Sequence, residues 1–137
     1  MYRQNVTKNS KRLKIFTWHV HGGYLYYLTQ ADCEFYVPYD AARSSGYGGK
    51  VSADPLEDNV HEVPVEKVKD LDLDAILFQN RRHYEEDQYR IFSKAQLRLP
   101  KLYVEHDPPG ANPTDTLHVV KDPSVTLVHV TNFNRLM

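Results

Sequence analysis

Histidine is the side chain whose ordinary titration falls closest to neutral pH, so it is the first place to look for acid, base or hydrogen-bond chemistry. The chain carries 7 histidines and 10 tyrosines, both many for 137 residues. Two stretches set such residues beside others that shape the backbone. The first is His21-Gly22-Gly23-Tyr24. Two glycines between a strand and a helix permit close backbone approach and leave helix N-terminal N–H groups to meet a phosphate or a carboxylate. A tight strand-to-helix turn with no ligand has the same composition. The pattern is not G-x-G-x-x-G, so the nicotinamide fingerprint is absent. The second stretch is Glu105-His106-Asp107-Pro108-Pro109. His106 is the candidate acid or base, and the prolines stiffen the segment that holds it. The plainer alternative is that His106 and Asp107 satisfy loop backbone groups.

Other groups are weaker candidates. His19 and His21 are two residues apart, which on a strand puts both side chains on one side. With His106 and Asp107 they could form a metal cluster, but neither H-E-x-x-H nor paired cysteines support one, and no metal is expected. In Gln79-Asn80-Arg81-Arg82-His83, Arg81 or Arg82 could grip a carboxylate or phosphate in a bidentate manner. A solvated helix start explains the same residues. Tyr47, beside Gly48-Gly49, could stack on a sugar or a base, or be ordinary loop composition.

The elements that must position these residues alternate between strand-like and helical runs. Strands are expected at residues 13–20, at Glu34 to Val37 with Pro38 as a stop, at Val60 to Val63, at Ala75 to Phe78, at Leu102 to Val104 and at 125–130. Ala75-Ile76-Leu77-Phe78 is apolar throughout, as a central parallel strand covered on both faces should be. Helical patterns place Tyr24, Leu25 and Leu28 on one face. A second pattern starts at Pro64, in the first turn of a helix, with Val65, Val68 and Leu71 inward. The longest, 81–99, has Ile91, Phe92, Ala95 and Leu99 inward and is ended by Pro100. Residues 40–58 show no periodicity and read as a long loop, which in a compact domain is functional or mobile. The β-α-β-α order predicts an α/β fold, a Rossmann-like three-layer sandwich with a mostly parallel sheet of five to six strands. In such sheets ligands bind beyond the carboxyl ends of the strands. The polar exits His19 to Tyr24, Gln79 to His83, Glu105 to Gly110 and Thr131 to Asn134 all fall there.

Bulk properties narrow the classes. The length suits one domain, with 41% hydrophobic and 26% charged residues. A net charge of -1 with dispersed Lys and Arg argues against nucleic-acid binding. No apolar run is long enough to span a bilayer. Residues 1–12 are polar and basic without an apolar core, which predicts a disordered lead-in and no signal peptide. The single cysteine, Cys33, favours a reducing, cytoplasmic setting. The sequence stops just after a strand, where a helix should return, and this predicts an N-terminal portion of something longer.

Three runs in this order, 17–28, 103–109 and 129–136, resemble the N-terminal domain of bacterial GT-B glycosyltransferases of the family 4 type. The resemblance spans roughly residues 13–137. Each motif is short, so its specificity lies in their joint order. It implies a two-domain enzyme that moves a sugar from a nucleotide-sugar to a sugar or lipid-linked acceptor, with no cofactor. Gly22 and Gly23 would face the donor phosphates, and His106 would sit at the reacting sugar. His21, Tyr24, Tyr47 and Asp107 would line the acceptor side of the cleft. The C-terminal donor domain is missing from the sequence, so it would have to come from the same or a neighbouring chain. The chain alone would have little activity, because half a cleft neither positions both reactants nor excludes water. Two other readings stay open: a non-catalytic flavodoxin-like binding or regulatory module, and a metal-dependent hydrolase built on His19, His21, His106 and Asp107.

Overall fold

The computed structural model describes residues 11–51, 55–106 and 117–130. Strand β1 is Lys14–Phe16, followed by helix α1, Gly22–Leu28. Strands β2 (Glu34–Tyr39) and β3 (Val60–Pro64) follow, and then a 3-10 helix at Val65–Asp70. Strand β4 is Ala75–Phe78. The next helix has a π turn at His83–Asp87 and continues as α2, Gln88–Ile91. A short 3-10 helix, Gln96–Arg98, leads into β5 (Lys101–Glu105), and β6 is Thr126–His129.

The six strands form one sheet in the order β3-β2-β1-β4-β5-β6, and every pairing is parallel. The α/β Rossmann-like expectation therefore holds. The chain winds outward from β1 through β2 to β3, then crosses to the other side of β1 and winds outward again. The direction reverses between β1 and β4, and in open α/β sheets ligands bind beyond the carboxyl ends of the strands at such a point.

Both faces of the sheet are covered. On one, Leu25 of α1 packs with Ile15, Phe35, Val37, Leu77 and Val104. On the other, Phe16, Trp18 and Phe92 meet edge-to-face, Phe78 packs tilted against Trp18, and Val68, Ile76 and Ile91 complete the cluster. Alternate residues of β1 and β4 feed opposite faces, as the strand period of two requires.

Several expected boundaries move, each for a local reason. β1 is shorter than residues 13–20: the Thr17 N–H still donates to the Tyr36 carbonyl of β2 at 3.0 Å, but the Leu77 carbonyl of β4 is met by the Thr17 hydroxyl, at 2.9 Å. Pro38 does not stop β2. It pairs with Val63 of β3, and β1 ends at Phe16, opposite Tyr36, so a proline there interrupts no central ladder. Pro64 closes β3 and precedes the 3-10 helix as its cap, outside the first helical turn. Val68 is buried there, with Val65 and Leu71 packed alongside, as the periodicity predicts.

The helix expected over 81–99 breaks at Phe92, whose backbone is extended. Ser93 and Gln96 form a capping box that starts a new turn. The Gln96 N–H donates to Ser93 Oγ at 3.2 Å, and the Ser93 N–H donates to Gln96 Oε1 at 2.9 Å. The Gln96 amide also donates to the carbonyls of Val68 and Leu71, tying this turn to the preceding 3-10 helix. At the amino end of the chain, residues 1–10 lie outside the described residues. Arg12, in the expected lead-in, is held by ion pairs to Asp32 and Glu34.

Candidate functional site

The exits from β1, β4 and β5 meet at the carboxyl rim of the sheet. His21 caps α1 with extended backbone, and its carbonyl accepts the N–H of Leu25 at 2.8 Å. A helix start leaves its first N–H groups without intrahelical acceptors, so those of the glycine turn point out of the helix end. An added Cβ at Gly23 would meet nothing within 4 Å, so there is room beside it. His106, directly after β5, packs against both ends of this turn. Its ring centroid lies 4.5 Å from that of His21 and 4.4 Å from that of Tyr24, which it meets edge-on. Burial pushes the Tyr24 hydroxyl above its usual range.

The floor of the rim is Gln79, the residue after β4, which is buried. Its Nε2 donates to Thr17 Oγ1 at 2.8 Å and to the Trp18 carbonyl at 3.1 Å. Its Oε1 is 3.2 Å from His106 Nε2. One amide thereby links the ends of β1, β4 and β5 across the point where the winding reverses. An imidazole held by a buried amide beside helix-start N–H groups can exchange a proton with a ligand hydroxyl while those N–H groups receive its anionic part.

A second constellation occupies the opposite face of the sheet at the same end. His83 is 5% exposed and stacks on Trp18 with 4.6 Å between centroids. Burial pushes its imidazole down to about 4. Its Nε2 is 3.9 Å from Asp87 Oδ2, too long for a hydrogen bond. The Tyr47 hydroxyl donates to Asp87 Oδ2 at 2.6 Å, and Arg90 Nη2 approaches Oδ1 at 3.0 Å as an ion pair. Burial alone would raise the Asp87 carboxyl, but Tyr47 and Arg90 hold it below its usual value. Burial and the charge of Asp87 push the Tyr47 hydroxyl well above its ordinary range. These groups line a cavity of about 420 Å³ together with Asp40, Ser44, Ser45, Val65 and Arg82.

The structure thus brings His21, Gly22, Gly23, Tyr24 and His106 together and sets Tyr47 apart, in the cavity beside Asp87 on the other face of the sheet. Asp107 lies outside the described residues, as does the exit Thr131 to Asn134. His19 does not converge with His21. Its Nδ1 bonds the Gly49 carbonyl at 2.7 Å, on the side of the loop after β2, whereas His21 turns to the exit of β5. The strand period fails here because residues 17–21 are not regular strand. Among the described residues no group of three or more His, Cys, Asp or Glu side chains is arranged to hold a metal ion. Arg81 is exposed and paired with Glu85 at 3.0 Å. Gln79 and the His83–Asp87 pair were not singled out from sequence. The available signals were a polar residue directly after a wholly apolar strand, and a His and Asp four apart on one helical face. No protein-family model, curated protein or solved structure matches this chain.

Proposed function

We propose that the rim around His106 is one half of a sugar-transfer site, where a glycosyl group passes from a nucleotide-sugar to an acceptor hydroxyl. The observation that carries this reading is the convergence of His21 and Tyr24 on His106 at the winding reversal. That position suits a phosphorylated ligand, and the resemblance of the three motif runs supplies the reaction class. In this reading the N–H groups of Gly22 and Gly23 receive the donor phosphates and stabilise the charge that develops as the nucleotide leaves. His106 stands at the reacting sugar, and Tyr24 and Asp107 border the acceptor. A second Rossmann-like domain, in the same or a neighbouring chain, closes the cleft in the cytoplasm. The nucleotide-sugar is the substrate, and no resident cofactor takes part.

Two measurements test this. Imidazole signals of the purified chain are followed by nitrogen-15 NMR during titration with UDP-glucose, GDP-mannose and UDP. His21 and His106 are expected to shift saturably with at least one of them, and His83 to stay still. Absence of any shift at His21 and His106 at millimolar ligand overturns the reading. Once the second domain is supplied, His106→Ala is expected to lower kcat by about 10²–10⁴-fold, the usual worth of a positioned acid or base. Undiminished turnover removes His106 from the chemistry.

A further inference from the structure

The hydrogen bonds beneath His106 form a directed chain. The Leu77 carbonyl can only accept, so the single hydroxyl proton of Thr17 is donated to it, at 2.9 Å. Thr17 Oγ1 is left as an acceptor, and the Gln79 side-chain atom facing it at 2.8 Å must be the amide nitrogen. The Trp18 carbonyl, 3.1 Å from the same atom, requires the same assignment independently. Gln79 Oε1 therefore faces His106, and a carbonyl oxygen 3.2 Å from Nε2 accepts a proton carried by that nitrogen.

We infer that Gln79 is a positioning residue that locks His106 in the tautomer protonated on Nε2. A neutral imidazole carries one N–H, and placing it on Nε2 leaves the lone pair on Nδ1. The charged ring keeps its Nε2–H, so the bond to Gln79 survives protonation and the ring need not move. Gln79 suits this task because it is 2% exposed and both its donations end on groups at the carboxyl end of β1. A side chain so held cannot flip its amide without setting its oxygen against the Trp18 carbonyl. The catalytic meaning of this lock rests on the sugar-transfer reading. The tautomer itself does not.

The test is long-range proton–nitrogen correlation NMR of the histidine rings in the purified chain at alkaline pH. The expected His106 pattern is a protonated, pyrrole-type Nε2 with a pyridine-type Nδ1. A dominant Nδ1–H form overturns the inference. Gln79→Leu is expected to give a mixture of tautomers, and an unchanged pattern also overturns it. Should Gln79→Leu fail to fold, Gln79→Met, which keeps the length of the side chain and removes the amide, replaces it, and an unchanged His106 tautomer pattern in that variant likewise overturns the inference. If the tautomer is as stated but the nucleotide-sugar titrations fail, the sugar-transfer reading falls and the positioning role stands.

Discussion

His83 lies flat against Trp18, beneath the backbone of Gly46, and two consequences follow from that one packing. The first is a pH dependence. The ordinary histidine value is 6.5 and the buried ring is pushed down to about 4. Above 6.5 the ring is neutral in folded and unfolded chains alike. Between these values the unfolded chain takes up a proton that the folded one refuses, so stability falls as pH falls, by about 3 kcal/mol across the window. Below about 4 this contribution levels off. The lowered Asp87 carboxyl acts in the same direction at still lower pH, because its stabilisation is lost as it becomes protonated. Urea midpoints measured against pH should show this limb, and His83→Leu should flatten the part between 6.5 and 4. The second consequence concerns Gly46. Its φ is +83°, and an added Cβ would lie 2.7 Å from His83 Nε2. Gly46→Ala combines a left-handed backbone with overpacking and should cost about 2–4 kcal/mol in urea denaturation.

At the scale of elements, the segment after Ile91 illustrates how side chains can end a helix where the apolar pattern would continue it. Ile91 and Phe92 are both buried, but Phe92 is extended, and Ser93 restarts the chain through its reciprocal bonds with Gln96. The Gln96 amide is buried and serves the carbonyls of Val68 and Leu71 as well. Ser93→Ala loses one cap and should cost about 1 kcal/mol. Gln96→Ala removes the amide's donations to the Val68 and Leu71 carbonyls and the acceptor of the Ser93 N–H, and should cost about 2–4 kcal/mol. Equal effects of the two substitutions in urea denaturation would contradict this ranking. The capping box was legible as S-x-x-Q. The apolar stripe of Ile91, Phe92, Ala95 and Leu99 masks it, because that stripe fits one continuous helix.

Across the whole molecule, stability should decline from the middle of the sheet outward. All four residues of β4 are buried, and it lies between β1 and β5. β6 is an edge strand with alternating exposure, and Val128 and Val130 are exposed. Backbone amides of β4 should exchange with deuterium only through global unfolding, and those of β6 through smaller openings at lower free energy. Protection in β6 equal to that in β4 would show that the sheet opens as one unit.

Local pattern alone determined the α/β class, all six strand positions, the buried faces of α1 and of the Val65–Asp70 helix, and the rim on which His21, Gly22, Gly23, Tyr24 and His106 meet. It did so because period, apolar runs and glycine turns are properties of neighbours in the chain. The sheet order, the placement of Tyr47 beside Asp87, the divergence of His19 from His21 and the reach of Gln79 to His106 were decided by tertiary structure. Each joins residues far apart in sequence, and their contact depends on which strands become neighbours and how each chain segment leaves the sheet, neither of which local spacing encodes.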